Sequence, residues 1–179
     1  LLDDLLNSEL PSSITRWFGA YLHGRQARVI FRNCRSGARN VRVGVPQGAV
    51  TSPVLFNFYL ADLPLPPADS SIQLVQYADD LSVTDTYARK HEADRCAKAI
   101  SAYGDTLIEF LADRDLIVSP EKSSVTLLTA NTAEATHHPK VKLAGVDVPL
   151  ERCPKILGLH HDTMYTLTQH CQKAAEQAT

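Results

Sequence analysis

Two short apolar segments, residues 72–77 and 81–86, stand on either side of the acidic pair Asp79-Asp80. Both are rich in β-branched and aromatic residues, so they predict the two strands of a hairpin with carboxylates at its tip. Neighbouring side chains on a regular strand point to opposite faces, and only a turn can bring both carboxylates to one side. There a divalent cation such as Mg²⁺, which prefers oxygen ligands, would offset their repulsion. The alternative is a solvated turn, where Asp is also common.

The rest of the hydrophobic pattern alternates helices with short strands. Helical spacing predicts an initial helix at 1–8, a second from Ser13 to His23, a third that opens at Ser52-Pro53 and a long one from about Arg89 to Ala112. We predict that the aromatic face of the 13–23 helix is core, and a platform on which bases stack is the alternative. Strands are predicted at residues 26–31 and 40–43, with a turn near 36–37, and at 125–128, 141–143, 146–150 and 155–159. These elements predict an α+β fold with an antiparallel sheet backed by helices.

Cations are concentrated early in the chain, although the formal net charge is only −2. Seven arginines lie between positions 16 and 42, and no Asp or Glu occurs between Leu10 and Ala61. A guanidinium is always charged and can bind two phosphate oxygens, so Arg25, Arg28 and Arg32 are predicted to contact a nucleic-acid backbone. The alternatives are a solvated basic surface and pairing with acidic residues elsewhere in the chain.

The four cysteines are far apart and form no C-x-x-C pair. Together with the absence of an apolar run of membrane length, this predicts reduced thiols in an intracellular protein, nuclear or cytoplasmic, that does not enter a membrane. A zinc site is a weaker alternative, because the spacing of its five candidate ligands matches no usual pattern. Those candidates are Cys153, His160, His161, His170 and Cys171.

A glycine-rich loop at residues 44–53, here called the 44–53 loop, is the second segment that could take part in binding or catalysis. It reads Gly44-Val45-Pro46-Gln47-Gly48 and ends at Ser52-Pro53. Glycines allow a close backbone approach, and Gln47 offers a donor and acceptors to a nucleotide base or sugar. A Gly-Pro loop that leads into a helix is otherwise an ordinary connector.

The order of these blocks resembles the reverse transcriptase family in its LINE-like (non-LTR) retrotransposon branch, over nearly the whole chain. Leu10-Pro11, Trp17, Tyr21-Leu22 and Arg25 are similar to the stretch after the family's first catalytic motif. Residues 116–122 resemble its fourth palm motif, and residues 155–158 resemble the turn of its primer grip. The central blocks are the 44–53 loop, Leu55-Phe56-Asn57, Tyr59-Leu60, Asp62-Leu63-Pro64 and Tyr77-Ala78-Asp79-Asp80.

The resemblance implies a polymerase palm with part of the fingers, so that residues 1–179 form one partial reverse transcriptase domain. Within it, about 1–45 are palm and fingers elements, about 46–160 run through the palm to the primer-grip-like turn, and 161–179 begin the following region. The implied activity is RNA-directed DNA synthesis with two divalent ions, Mg²⁺ or Mn²⁺. The implied partners are an RNA template, a DNA primer and deoxynucleoside triphosphates.

The same resemblance implies catalytic roles for three side chains. Asp79 and Asp80 are metal-site carboxylates, and Asp79 is the more essential ligand. Lys122 protonates or stabilises the leaving pyrophosphate. A plain surface lysine is the alternative for Lys122.

Binding roles are implied for five further residues. Gln47 and Gly48 shape the nucleotide pocket, and Tyr77 lies under the primer end. Leu157-Gly158 belong to the primer grip. For Tyr77, a packed strand aromatic is the alternative.

The chain departs from the family pattern at its first residues. The resemblance places the first catalytic motif, with its Asp, before Leu1, and Asp3 and Asp4 are not substitutes for it. We therefore expect the 179 residues alone to be inactive. The competing interpretations are a degenerate retroelement remnant, with RNA binding or no activity, and an RNA-dependent RNA polymerase.

Overall fold

The structure is a computed structural model that describes residues 1–87 and 92–178. The chain divides into two compact units, Leu1–Asp62 and Leu63–Thr179. Each unit combines helices with short antiparallel strands.

Three helices form the apolar part of the first unit: α1 (Leu2–Leu6), α2 (Ser12–Leu22) and α3 (Ser52–Tyr59). Leu5 on α1 and Leu55 on α3 are each only 1% exposed. Pro53 lies in the first turn of α3, where a missing N–H leaves no hydrogen bond unmade. The three predicted helices are confirmed, although α1 is shorter than expected.

The aromatic face of α2 is more exposed than the sequence predicted. Trp17 is 53% exposed and stacks on Tyr21, with ring centroids 5.3 Å apart and planes inclined by 5°. Ile14 is 41% exposed, whereas the buried residue of this helix is Thr15. The prediction that this face is core was therefore wrong for Ile14 and Trp17. A helical period identifies which side chains share a face, but not whether another element covers that face.

A long hairpin follows α2 and carries most of the arginines. Its strands are β1 (Gln26–Ala27), β2 (Ile30–Phe31), β3 (Cys34–Arg35) and β4 (Arg39–Asn40), with β2 paired to β3 and β1 to β4. The turn lies at Arg32-Asn33, not at the predicted 36–37. Ser36 instead extends the pairing, because Val29 N donates to its Oγ and Ser36 N donates to Val29 O, both at 3.0 Å.

The second unit is organised around the helix α4 (Ala93–Ala112) and the hairpin of β5 (Gln73–Tyr77) and β6 (Asp80–Thr84). Both were predicted, although the expected start of α4 at Arg89 lies outside the described residues. Ile72 packs with Tyr103 and Leu107 of α4 in one apolar cluster. Leu74 and Val83, directly opposite each other on the hairpin, pack against the same cluster. One face of the hairpin is thereby fixed on α4.

A second apolar cluster lies further toward the N-terminus of α4 and contains Ala97, Val141 and Val148. Leu143 packs against this cluster from the small hairpin of β7 (Lys142–Leu143) and β8 (Val146–Asp147). A further small hairpin follows along the chain, β9 (Lys155–Ile156) with β10 (Leu159–His160). The helix α5 (Thr168–Gln177) completes the unit.

Two strand predictions in this region were wrong. The 125–128 segment forms only a single bridge, from Val125 to Leu150. The 155–159 segment is not one strand but the tight hairpin β9–β10, because Leu157 and Gly158 both have positive φ (48° and 90°), as a two-residue turn with the right twist requires.

The mixture of helices and antiparallel strands confirms the α+β prediction. In residues 1–87 and 92–178 the strands form five separate two-stranded sheets, so a single palm-type sheet stays a prediction. No helix in these ranges is long and apolar enough to cross a bilayer.

The Tyr103 hydroxyl provides a test of the packing in the second unit. It donates to Pro64 O at 2.6 Å from a side chain that is only 5% exposed. In Tyr103→Phe the carbonyl loses this donor, and we expect the free energy of unfolding to fall by about 1 kcal/mol. Urea denaturation measures the change. Tyr165→Phe is the matched control, because Tyr165 is 58% exposed, and an equal loss there would contradict the assignment.

Candidate active site

The acidic pair occupies the tip of the β5–β6 hairpin. Tyr77 is paired directly with Asp80, so Ala78 and Asp79 form a two-residue loop. Ala78 has φ +52°, in the left-handed region that a tight hairpin turn uses at its first position. Gln76 steadies the turn by donating from Nε2 to Ala78 O at 3.2 Å. Asp80 is thus the first residue of β6, one position earlier than the sequence predicted.

The hairpin separates a packed face from an open face. Residues paired across an antiparallel sheet share a face, and residues two apart do so as well. Leu74 and Val83 lie on the face that packs against α4, which places Tyr77 and Asp80 on the opposite one. Tyr77 is 62% exposed, and Asp79 and Asp80 are exposed too. Tyr77 is therefore not a packed aromatic within the described chain.

A polar cluster that the sequence analysis did not identify closes the base of this hairpin. Ser71, just before β5, donates its hydroxyl to Asp85, just after β6, and also to Thr86 O at 3.2 Å. Thr86 N donates to Asp85 Oδ1 at 2.9 Å. Cys96 on α4 lies close enough to the same carboxylate for its thiol to lower the pKa of Asp85. Asp85 therefore joins the two ends of the hairpin to each other and to α4.

The pKa values in this cluster follow from its geometry. Burial raises the pKa of the Cys96 thiol to about 11, and the hydrogen bond to Asp85 and its negative charge act in the same direction. For Asp85, desolvation raises the pKa, but hydrogen bonds from Ser71, Cys96 and Thr86 outweigh it and hold the pKa below its ordinary value. The ionised carboxylate accepts all three of these hydrogen bonds, which is why they favour it.

Lys122 and Leu157-Gly158 lie in separate parts of the second unit. Lys122 ends a short 3₁₀ turn, Pro120–Lys122, and its side chain is exposed. Among the described residues, no ion pair joins Lys122 to Asp79 or Asp80. Leu157 and Gly158 form the tip of the β9–β10 hairpin, where Leu157 is 61% exposed.

In the first unit, the 44–53 loop is held at both ends and open in its middle. Gly44 and Gly48 have φ values of +78° and +81°, which L side chains rarely adopt. Ser52, 7% exposed, donates its hydroxyl to Pro46 O at 2.5 Å. Arg25 Nη2 donates to Gly44 O, also at 2.5 Å. Gln47 and Gly48, the predicted nucleotide-contacting residues, are both exposed.

The arginines of the long hairpin differ in their burial and in the contacts of their side chains. Arg25 is half-buried and bonded to main-chain carbonyls. Arg28 and Arg32 are exposed, and Arg32 lies 5.3 Å from the ring centroid of Phe31. Neither forms an ion pair with any residue in the described ranges, so the predicted alternative of internal pairing is not supported for these two.

In the part of the chain that the structure describes, no group of three or more His, Cys, Asp and Glu side chains could hold a metal ion. The weaker zinc alternative therefore has no support. His160 lies 6.3 Å from His170, ring centroid to centroid, and the Lys173 Nζ atom lies 3.5 Å from both of its ring nitrogens. On the β5–β6 hairpin, the candidate metal ligands are the two carboxylates of Asp79 and Asp80.

The family described as reverse transcriptase (RNA-dependent DNA polymerase) matches residues 1–161. The chain therefore belongs to the reverse transcriptase family, and the predicted resemblance is confirmed.

Curated relatives come from mobile elements of Drosophila. The chain is 29% identical over 167 residues to the probable RNA-directed DNA polymerase from transposon X-element of Drosophila melanogaster, covering 92% of this chain and 18% of the relative. It is 32% identical over 156 residues to the corresponding protein from transposon BS of the same species, covering 84% and 17%. A polymerase from the mobile element jockey of Drosophila funebris is 26% identical, over 91% of this chain and 18% of the relative. The chain thus spans less than a fifth of the length of these relatives. No solved structure matches it.

The Ser71–Asp85–Cys96 cluster gives a prediction for thiol chemistry. The thiolate is the reactive form, and raising the pKa from 9.0 to about 11 lowers its fraction near neutral pH about a hundredfold. We expect iodoacetamide to modify the exposed Cys34 and Cys171 rapidly and Cys96 at least about a hundredfold more slowly, as mass spectrometry of the alkylated chain would report. Asp85→Asn removes the nearby charge and should accelerate Cys96. Equal rates at Cys96 and Cys34 would contradict this.

Proposed function

We propose that this chain is part of the catalytic core of an RNA-directed DNA polymerase of a non-LTR retrotransposon, and that Asp79 and Asp80 are metal ligands of its active site. The observation that carries the proposal is the exposed two-residue turn that presents both carboxylates at the tip of a hairpin fixed on α4, in a chain of the reverse transcriptase family. The substrates are an RNA template, a DNA primer and deoxynucleoside triphosphates.

The donor set fits Mg²⁺ or Mn²⁺, because these hard cations are held by one or two carboxylates together with substrate phosphates. When bound, two such ions activate the primer 3′ hydroxyl and neutralise the charge of the triphosphate. In this proposal Asp79 and Asp80 supply two of the carboxylates, and a third comes from the family's first catalytic motif. The open face of the hairpin supports this arrangement, since Asp80 and Tyr77 share it.

The other site residues act on the substrates. Tyr77 lies under the primer end, and its 62% exposure leaves the ring free for that contact. Lys122 acts on the leaving pyrophosphate, and Leu157-Gly158 touch the primer. Gln47, at the open middle of the 44–53 loop, contacts the incoming nucleotide, and Gly48 allows the close approach.

Neither alternative has a specific observation in its favour. An RNA-dependent RNA polymerase is disfavoured because the curated relatives are named RNA-directed DNA polymerases. A degenerate remnant is disfavoured by the retention of Asp79, Asp80 and Gln47. An intracellular location, in nucleus or cytoplasm, is part of the proposal, as is the absence of a membrane partner.

Asp79→Asn tests the metal-ligand role. In the full-length polymerase the substitution removes one anionic ligand while keeping the size of the side chain. We expect primer extension to fall by ~10³-fold or more, because charge stabilisation by a metal is commonly worth several kcal/mol. Template affinity should stay the same. Asp69→Asn, which removes an exposed carboxylate outside the hairpin, is the matched control. A loss below about tenfold in Asp79→Asn would exclude the role.

Lys122→Ala should have a smaller effect on the same reaction. Loss of one general acid or electrostatic contact typically lowers the chemical step by about 10- to 10³-fold. Single-turnover extension measures that step directly. Lys98→Ala, an exposed lysine on α4, is the control. An unchanged rate in Lys122→Ala would establish the surface-lysine alternative.

The exposed arginines of the long hairpin should bind nucleic acid without sequence preference. If about three of them meet the phosphate backbone, log K should fall with log[salt] at a slope near −2 for single strands. We expect Arg28→Ala with Arg32→Ala to flatten that slope and to weaken all sequences alike, because phosphate contacts carry no base information. Fluorescence anisotropy with two unrelated RNAs at several salt concentrations measures it.

The same arginines could instead be a solvated surface without a partner. In that case the double variant would bind RNA with the slope of the unmodified chain, and the nucleic-acid role would be excluded. Lys98→Ala with Lys142→Ala serves as a control for total charge, since both lysines are exposed and lie outside the long hairpin.

A further inference from the structure

Arg25 lies at a junction of three segments of the first unit. Its carbonyl accepts from Val41 N at 2.8 Å, which closes the base of the long hairpin. Its side chain donates from Nε to Leu22 O at 3.1 Å and from Nη2 to Gly44 O at 2.5 Å. One residue therefore joins the end of α2, the base of the hairpin and the first residue of the 44–53 loop.

Both side-chain contacts give a hydrogen-bond donor to a main-chain carbonyl at the end of an element. Leu22 is the last residue of α2, where carbonyls have no partner within the helix and a cation is favourable for the helix dipole. Gly44 has φ +78°, so the chain turns sharply there as it leaves the hairpin. A guanidinium presents its donors in one rigid plane, and two carbonyls bonded to it are held in a fixed relation to each other.

The opposite end of the 44–53 loop has hydrogen bonds of its own. Ser52 begins α3, is buried, and donates its hydroxyl to Pro46 O, while its amide donates to Ala49 O at 3.1 Å. The loop thus has one anchor on α3 and one on Arg25. Gln47 and Gly48 lie between the anchors, exposed.

We propose that Arg25 is a positioning residue for the 44–53 loop, acting through Gly44, and that it differs in this from the phosphate-binding arginines Arg28 and Arg32. This deepens the proposed function, because the position of Gln47 and Gly48 toward an incoming nucleotide then depends on Arg25. Three observations separate it from its neighbours along the hairpin: it is half-buried, its guanidinium is bonded to two carbonyls, and those carbonyls belong to different elements.

Hydrogen exchange in the chain itself tests the proposal without relying on polymerase activity. We compare Arg25→Lys and Arg25→Ala with Arg28→Ala, which removes an exposed arginine of the same hairpin. The amides of Ala49 and Ser52 should lose protection about tenfold in both Arg25 variants, since lysine keeps the charge but lacks the fork. In Arg28→Ala their protection should not change. Circular dichroism checks that α2 and α3 remain folded, and Arg25→Lys keeps the test valid if Arg25→Ala does not fold.

Binding of a single-stranded RNA at several salt concentrations separates positioning from phosphate contact. Arg25→Ala should leave the salt slope unchanged, whereas Arg28→Ala should make it shallower by about 0.7. In the full-length polymerase, Arg25→Lys should raise KM for the incoming nucleotide about tenfold with a smaller change in kcat, the pattern of lost binding rather than lost chemistry. Unchanged protection of Ala49 and Ser52 in both Arg25 variants would overturn the proposal. Full protection in Arg25→Lys with loss only in Arg25→Ala would also overturn it, because charge alone would then suffice.

If polymerase activity is absent while the exchange result holds, the proposed function fails and the positioning role survives. If activity is present but the protection of Ala49 and Ser52 does not change, the positioning role fails and the proposed function survives. The two failures are therefore distinguishable.

Discussion

The burial of one face of the β5–β6 hairpin against α4 is the interaction on which the Asp79-Asp80 turn depends. A two-stranded ribbon is marginally stable in water by itself, and here Leu74 and Val83 gain a partner surface in Tyr103 and Leu107. Fully burying side chains of this size is worth about 1.5–3 kcal/mol each, and the partly buried Leu74 and Val83 gain a share of that, which favours the formed hairpin while its other face stays open. The packing against α4 stabilises the hairpin, and it therefore tolerates the repulsion between the two carboxylates at its tip.

The polar cluster at the opposite end of the hairpin complements that apolar contact. Asp85 ties the strand ends together and to α4 through Ser71 and Cys96. The hairpin is thus fixed by apolar packing along its length and by hydrogen bonds at its base. Its tip, where Gln76 Nε2 donates to Ala78 O, stays exposed. The 44–53 loop has the same plan in the first unit, since Arg25 and Ser52 hold its ends and Gln47 stands open between them.

The sequence predicted the features that depend on residues close together in the chain, and it missed contacts between distant residues. The helix α4 was predicted because its apolar period is sustained over many turns, and the hairpin because two short segments rich in β-branched and aromatic residues flank Asp79-Asp80. The strands of β7 to β10 are two residues long, and their boundaries depend on left-handed turn residues such as Leu157, which no hydrophobic pattern marks. The contacts of Asp85 and Arg25 join residues 14 and 19 positions apart, and pairing of that kind needs the folded chain. Ser71 stands just before the first predicted strand, but Asp85 fell inside the second one, 81–86, so the predicted boundaries concealed their contact.

The two-residue loop at the tip has a consequence for how this part of the protein can vary. Side chains alternate between the faces of a strand, so one extra residue between Tyr77 and Asp80 would slide β6 by one position or force a bulge. Sliding would turn Val83 outward and Ser82 toward α4, and the acidic pair would lose its support. Insertions and deletions should therefore be excluded from this turn even where substitutions are accepted. The number of residues in the loop is as much a part of the site as the carboxylates are.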